Sequence, residues 1–275
     1  MMRVQTRKVY LSLLLCFAGS LGGFCTAQEG AAQESGQDSS EATLNKIVNS
    51  VNAAPGERVR ALIDLSRRYQ DKGFKRKALP LLEEAQRYSS QVSPLGQQEI
   101  SIAMGSLLYD LGSYAEALNI LLPVLEATSA EVSGMRVSVL NELGMVYGAL
   151  NNTSESASFF AEGVTTAGKL TDQLFQAKLL ANQSRVLISV AKLDNLFASL
   201  SQLHAVLDQL PASRAKAELL ISAANLYRSA YWYFDFSADW MMRGYANLIE
   251  AGDIARQNRD TRLLSYAQGL SGASV

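Results

Sequence analysis

A set of seven positions recurs every 39 residues, and it constrains this chain more than any other feature of its sequence. The first set is Leu65, Ser66, Tyr69, Gly73, Ala78, Leu82 and Ala85. The second set is Met104, Gly105, Leu108, Gly112, Ala117, Leu121 and Val124. The third set is Leu143, Gly144, Tyr147, Asn151, Ser156, Phe160 and Gly163. A fixed period of this size is typical of stacked repeats, which present a long surface to other molecules.

The residues between these markers predict helices that come in pairs. Apolar residues follow a helical period from Ala42 onward, and no run alternates between apolar and polar residues as a strand would. The predicted pairs are 58–72 with 75–89, 96–111 with 114–127, 132–150 with 153–167, 172–190 with 193–210, and 212–234 with 237–258, and a last segment starts at 261. Gly73 is expected to end its helix in a left-handed conformation. Pro80 and Pro123 are expected to lie inside second helices and to bend them locally.

The repeated residues resemble the tetratricopeptide repeat (TPR). The first set matches at Leu65, Tyr69 and Gly73 and then at three small or apolar positions further on. The second set matches most fully, whereas the third has Asn151 and Ser156 where glycine and alanine are usual. The resemblance extends over residues 57–260 and implies an all-α, right-handed superhelical solenoid of antiparallel helix pairs.

The N-terminal residues have the order of features of a secretory signal peptide. Three basic residues without an acidic one precede an apolar stretch, and Cys25, Thr26 and Ala27 offer small residues for cleavage after position 27. An uncleaved membrane anchor is the alternative, but the apolar stretch is shorter than the roughly 20 residues that span a bilayer. Lipidation at Cys25 is a further alternative, and Phe24 stands where that signal needs a small residue.

These observations predict four segments. They are a signal peptide at 1–27, a disordered linker at 28–41, a TPR-like helical domain at 42–260, and a partial repeat or C-terminal cap at 261–275. The linker is rich in Gln, Glu, Ser, Gly and Ala, which bury too little apolar surface to order a chain. We therefore expect an exported protein, periplasmic or secreted.

Composition argues against several classes of function. Both cysteines, Cys16 and Cys25, lie in the predicted signal, so the mature chain would have neither a disulfide nor a thiol nucleophile. The formal charge of −1 becomes −4 when the three basic residues of the signal are removed, and such mild acidity gives no footprint for nucleic acid. There is no phosphate-binding glycine loop and no dinucleotide fingerprint. His204 is the only histidine and sits on a helix with an apolar stripe, where a structural role is expected. We therefore predict no catalytic residue, metal or cofactor.

A dense aromatic cluster lies within fourteen residues, from Tyr227 to Trp240. Core packing accounts for one helical stripe of it, but the cluster is too dense for one stripe to bury. An exposed contact patch is therefore expected among Trp232, Tyr233, Phe236 and Trp240.

The resemblance also places a candidate binding groove on the first helix of each pair. TPR arrays line a concave groove with these helices, and the matching positions combine charge with apolar area. They are Arg60, Ile63, Arg67, Gln70, Glu99, Tyr109, Asp110, Asn141 and Met145. Such a mixture suits a protein partner that offers an extended peptide or a helix.

Three functions remain open at this point. The favoured one is an exported, non-catalytic scaffold for protein interactions, with its oligomeric state undetermined. Residues 260–270 resemble segments of the TPR arrays that precede caspase-like CHAT domains, so a regulatory array of a truncated CHAT-type peptidase is the second. The third is an enzyme or a small-ligand receptor that uses the aromatic cluster, which a compact pocket made by Trp232, Trp240 and Arg243 would favour.

Overall fold

The computed structural model describes residues 41–129, 132–191, 193–234 and 238–271. Within these ranges every regular element is helical, which confirms the predicted all-α class. The helices are α1 (Glu41–Asn49), α2 (Pro55–Asp71), α3 (Lys75–Arg87), α4 (Pro94–Leu111), α5 (Tyr114–Ala127), α6 (Gly134–Ala149), α7 (Thr153–Lys169), α8 (Gln173–Ser189), α9 (Leu193–Gln209), α10 (Arg214–Phe234), α11 (Ala238–Gln257) and α12 (Thr261–Ser271). A short 3-10 helix, Ser89–Gln91, follows α3.

The helices follow the predicted pairing from α2 with α3 to α10 with α11. The largest shift at a helix start is in α2, which begins at Pro55 rather than at residue 58. Proline suits the first turn of a helix because its fixed φ is helical and its missing N–H has no partner there. Pro80 and Pro123 lie inside α3 and α5, as expected.

The turn inside each of the first four pairs passes through a residue in the left-handed region. Gly73 and Gly112 have φ values of 79° and 83°, and Asn151 and Ala191 take the same role at 58°. Glycine adopts this conformation without the steric cost that a Cβ brings. The loss of glycine at the third and fourth turns explains why the repeat is harder to recognise there.

The start of each later first helix is capped by a short polar side chain. Each of these side chains accepts a hydrogen bond from the backbone N–H three residues on, at 2.9–3.3 Å. The capping residues are Ser93, Ser133, Asp172, Ser213 and Asp260. Such caps satisfy N–H groups that have no partner within the helix, so they mark where each repeat begins.

The described residues fall into two compact units that divide within α6, between Val146 and Tyr147. In the first unit α1 covers the first helix pair. Leu44 of α1 is buried against Ala61 and Leu65 of α2, and Lys72 pairs with Glu41 at 2.5 Å. A hydrophobic contact of this kind closes the end of a repeat array, which would otherwise expose its apolar side.

Further along the first unit, the helices depend on close packing and on carbonyl capping. A Cβ added to Gly105 of α4 would lie 2.6 Å from the side chain of Leu121 in α5, so only glycine fits. Arg136 of α6 donates hydrogen bonds to the carbonyl oxygens of Leu125 and Thr128 at the end of α5. The repeated small residue therefore sets how closely two helices approach.

The second unit has one continuous apolar core. Helix α8 contacts α7, α9 and α10, helix α10 packs on α11, and α12 contacts both α10 and α11. Tyr227 is the largest fully buried side chain of this core. The buried Lys216 is satisfied by the carbonyl oxygen of Leu210 at 3.0 Å and by Glu250 at 2.7 Å. These two partners compensate the buried charge of Lys216.

Several predictions fall on residues outside the described ranges. They are the signal peptide, all of the linker except Glu41, the end of the C-terminal segment, and Phe236. Glu41 itself opens α1. Among the described helices, none is both long enough and apolar enough to cross a membrane.

Candidate partner-binding face of the first helices

The first helices α2 and α4 contact each other, so their exposed sides adjoin in the first unit. Arg60 of α2 is exposed, and Arg67 is partly exposed. Glu99 and Tyr109 of α4 and Met145 of α6 are also partly exposed. We call Arg60, Arg67, Glu99, Tyr109, Asp110 and Met145 the first-helix face. It combines cations, anions, an aromatic ring and a thioether.

Three of the predicted groove residues do not reach the surface. Ile63, Gln70 and Asn141 are each at most 5% exposed. The stripe that α2 and α6 leave to solvent is therefore narrower than the family pattern implies. These three side chains belong to the packing beneath the first-helix face.

The buried amides still make polar contacts under this face. Gln70 donates its amide N–H to Ser66 Oγ at 3.1 Å, and Asn141 donates to Glu142 Oε1 at 3.0 Å. In the described part of the first unit, the side-chain oxygen of Gln70 is buried without a hydrogen-bond partner. An unsatisfied buried acceptor carries a free-energy cost, so the surroundings of Gln70 favour contact with a donor.

An ion pair links two turns of α2 at the surface. Arg67 Nη1 lies 3.4 Å from Asp64 Oδ1. Burial raises the pKa of Asp64, and the charges of Arg67, Arg68 and Arg60 oppose that rise. The N-terminal part of the first-helix face is therefore rich in arginine, a residue enriched at protein interfaces because its planar head forms paired hydrogen bonds.

An acidic site lies one repeat further along. Lys75 Nζ is 3.2 Å from Asp110 Oδ1 and also donates a hydrogen bond to the carbonyl oxygen of Asp110 at 3.1 Å. Burial raises the pKa of Asp110 to about 6, and the charges of Glu142 and Asp71 add to the rise. Lys75 lowers the pKa of Asp110, but its single ammonium group does not compensate for burial and for the charges of Glu142 and Asp71. The site therefore favours additional positive charge.

The raised pKa of Asp110 predicts a pH-dependent stability. The folded chain binds a proton at Asp110 up to about pH 6, whereas an unfolded aspartate loses it near pH 4, so stability falls as pH rises between these values. Asp110→Asn should remove this loss, which amounts to about 2–3 kcal/mol. Thermal unfolding of both proteins from pH 4 to pH 8 measures the difference. A difference that does not grow with pH, or an equal one in the exposed control Glu83→Gln, would contradict it.

The aromatic cluster divides between the core and the surface of the second unit. Trp240 is 7% exposed and packs on Tyr227 at 5.1 Å and on Phe197 at 5.2 Å between ring centroids. The prediction that Trp240 belongs to an exposed contact patch was therefore wrong, because its ring packs in the core. Trp232 is 64% exposed and sits edge-on to Tyr231, and Tyr233 is half-buried against the core. Of the three patch residues that the structure describes, Trp232 is the large exposed ring.

The compact pocket considered for a small ligand is only partly assembled. Arg243 lies over the Trp240 ring at 5.7 Å, but Trp240 is covered by Tyr227 and Phe197. His204 lies 3.6 Å from Asp208 on the same helix. In the described residues, no cluster of three His, Cys, Asp or Glu side chains could hold a metal ion.

The sequence analysis did not predict a hydrogen-bond network in the second unit. Arg185 of α8 donates to Asn182 Oδ1 at 2.5 Å and to Ser222 Oγ of α10 at 3.4 Å. Arg185 lies 40 residues after Met145, the same spacing that separates the buried anchors Ser156 and Leu196 of the third and fourth second helices. The spacing pointed to Arg185, but the fourth repeat matches the repeat pattern too weakly to align it with the first three.

Paired helices, left-handed turns and capped repeat starts together define a TPR-like repeat protein. Solved structures that share this fold include the following three. One is BtubC (BKLC) from P. vanneervenii, with a TM-score of 0.55 and 16% identity over 80% of this chain and 89% of that chain. The others are a Podosopora anserina putative kinesin light chain with nearly identical TPR-like repeats and a singly substituted form of it, with TM-scores of 0.51 and 0.52. Both cover 75% of this chain and almost all of their own, at 16% and 17% identity.

No known family profile matches the sequence, and no curated protein matches it. At these identities the shared structures establish the TPR-like fold alone. The association with CHAT domains stays a resemblance of the sequence.

Proposed function

We propose that this chain is an exported, non-catalytic scaffold that holds a peptide or a helix of a partner protein against its first-helix face. TPR-like repeats generally mediate protein interactions, which supports the general class. The observation that carries the proposal is the paired charge at this face. Arg67 with Asp64 and Lys75 with Asp110 present both signs on adjoining helices, together with the ring of Tyr109.

The acidic site suggests which part of the partner would bind there. Asp110 is mostly buried, and Asp71 and Glu142 act on it with the same sign. A lysine or arginine side chain of the partner would offset this negative charge and lower the pKa of Asp110. Binding should then strengthen as pH rises through about 6, since Asp110 must be ionised to attract a cation.

A capture experiment tests the proposal. The full-length chain, tagged at its C-terminus, is expressed in its native host and isolated from the exported fraction, and partners are identified by mass spectrometry. N-terminal sequencing of the same material shows whether the chain is cleaved after Ala27, as the signal predicts. A chain retained whole in the cytoplasm would contradict the proposed export.

We expect Arg67→Glu combined with Tyr109→Ala to weaken partner capture without loss of helicity. Both side chains are at least partly exposed, so the substitutions should remove interface contacts rather than core packing, and losses of about 1–2 kcal/mol at each site are typical of interface anchors. Circular dichroism and quantitative capture measure the two effects. The matched control is Glu83→Arg with Gln86→Ala on the exposed side of α3. Equal capture by both double variants would place the binding site elsewhere.

A further inference from the structure

The second helices of the five pairs can be compared position by position. Each contains three buried anchors that pack it against its repeat. They are Ala78, Leu82 and Ala85; Ala117, Leu121 and Val124; Ser156, Phe160 and Gly163; Leu196, Leu200 and Leu203; and Trp240, Gly244 and Asn247. This register identifies the equivalent exposed positions of each helix, which lie two, five and nine residues after the first anchor.

The exposed stripe differs in character only in the last of these helices. All fifteen equivalent positions are exposed. In the first four helices they are mainly polar or small, with Leu122 as the single large aliphatic residue apart from proline: Pro80, Glu83 and Arg87; Asn119, Leu122 and Glu126; Ser158, Ala161 and Thr165; and Ala198, Ser201 and Ala205. In α11 they are Met242, Tyr245 and Ile249, with exposed fractions of 65%, 46% and 47%. Three large apolar side chains on one stripe of a helix indicate a contact surface.

Two charged residues of α11 are placed symmetrically about the middle of the helix. Tyr245 and Ile249 flank position 247, and Asp239 in the first turn and Arg256 in the last lie about equally far from it. Opposite charges therefore occupy opposite ends of the helix, about 26 Å apart at a rise of 1.5 Å per residue. Each pair combines complementary side chains about one point.

Such symmetry fits one occupant, which is the same helix running in the opposite direction. An antiparallel α11 from a second copy would place Tyr245 against Ile249 of that copy, and Asp239 beside its Arg256. A two-fold axis repeats every contact, as in the self-complementary interfaces of most homodimers. A parallel helix would instead place like charges side by side.

We propose that the α11 stripe, Met242, Tyr245 and Ile249, is a self-association surface that pairs two copies of this chain in antiparallel orientation. The stripe lies on a second helix, so pairing leaves the first-helix face of the first unit a separate site. The partner is a second copy because Tyr245 with Ile249, and Asp239 with Arg256, complement each other about one centre. The scaffold would then present two binding faces.

Sedimentation equilibrium of the full-length chain tests the pairing directly. We expect the mass to rise towards twice that of the monomer with concentration. Ile249→Glu should weaken self-association at least about tenfold, because it would bury a carboxylate in the contact. Ala205→Glu at the equivalent position of α9 is the matched control and should leave the dimer intact. Both positions are exposed, and circular dichroism checks that both variants fold. Met242→Glu should repeat the effect of Ile249→Glu.

A charge exchange tests the antiparallel orientation. Asp239→Arg alone and Arg256→Asp alone should each weaken the dimer, since each places like charges at both ends of the contact. The double variant should regain affinity because it restores opposite charges with their signs exchanged. A loss that is additive in the double variant would overturn the antiparallel arrangement.

Two results would overturn the self-association itself. The first is that the chain stays monomeric at every concentration. If Ile249→Glu then abolishes capture of a foreign protein, the stripe binds that protein instead of a second copy. The other is a dimer that Ile249→Glu leaves unchanged. Neither result bears on the first-helix face, whose test uses Arg67 and Tyr109.

Discussion

Replacing Trp240 with alanine should lower the free energy of unfolding by about 3–5 kcal/mol, the range for a buried aromatic residue in a packed core. The indole packs between Tyr227 and Phe197, and Arg243 covers its face. Removing it would leave a cavity that joins α9, α10 and α11. Burial in the same cluster raises the pKa of Tyr227 to about 12, which is consistent with a site that excludes water.

The second tryptophan provides the control. Trp232→Ala removes an equally large side chain that is 64% exposed, so the unfolding free energy should change by less than about 1 kcal/mol. Urea unfolding monitored by circular dichroism compares the two variants. Equal destabilisation by both would contradict the division of the aromatic cluster into a core half and a surface half.

The second large effect is expected at Gly105. Gly105→Leu should destabilise the first unit by about 1–3 kcal/mol or more, the usual cost of overpacking. Even a Cβ would lie 2.6 Å from Leu121, and Leu121 is fully buried, so α4 and α5 would have to move apart. Thermal unfolding measures the loss.

Gly56→Leu is the matched substitution for this test. A Cβ at Gly56, in the first turn of α2, meets nothing within 4 Å. Leucine there should be neutral or stabilising, because a glycine in a helix costs about 1 kcal/mol relative to a good helix former. A Gly105→Leu protein as stable as Gly56→Leu would show that the helix pair does not have the close contact described.

The first-helix face and the α11 stripe depend on different interactions. The first-helix face depends on partly buried charges, which are sensitive to pH through Asp110. The α11 stripe depends on exposed apolar area, which is insensitive to pH but is lost on introducing a charge. Measurements of binding and of self-association on either side of the Asp110 pKa, about 6, would therefore separate the two sites in one protein.

Much of the fold followed from local sequence alone. The 39-residue spacing of Gly73 and Gly112 placed two turns, and their φ values are left-handed as the glycines require. Two helix starts are marked by capping residues, Ser93 before Pro94 and Asp172 before Gln173. The side chain of each accepts a hydrogen bond from a backbone N–H within four residues. These features are local, so periodicity and capping determine them before any tertiary contact forms.

Only the tertiary structure decided which side of each helix meets solvent. Trp240 and Trp232 lie eight residues apart in one aromatic cluster, yet one is core and the other surface, because they belong to different helices with different neighbours. Ile63 and Asn141 matched a groove pattern but are buried. The pKa of Asp110 likewise depends on Lys75, Asp71 and Glu142, which lie 35, 39 and 32 residues away in sequence. Burial and charge act through space, so a sequence pattern determines the helices but not what each of their faces contacts.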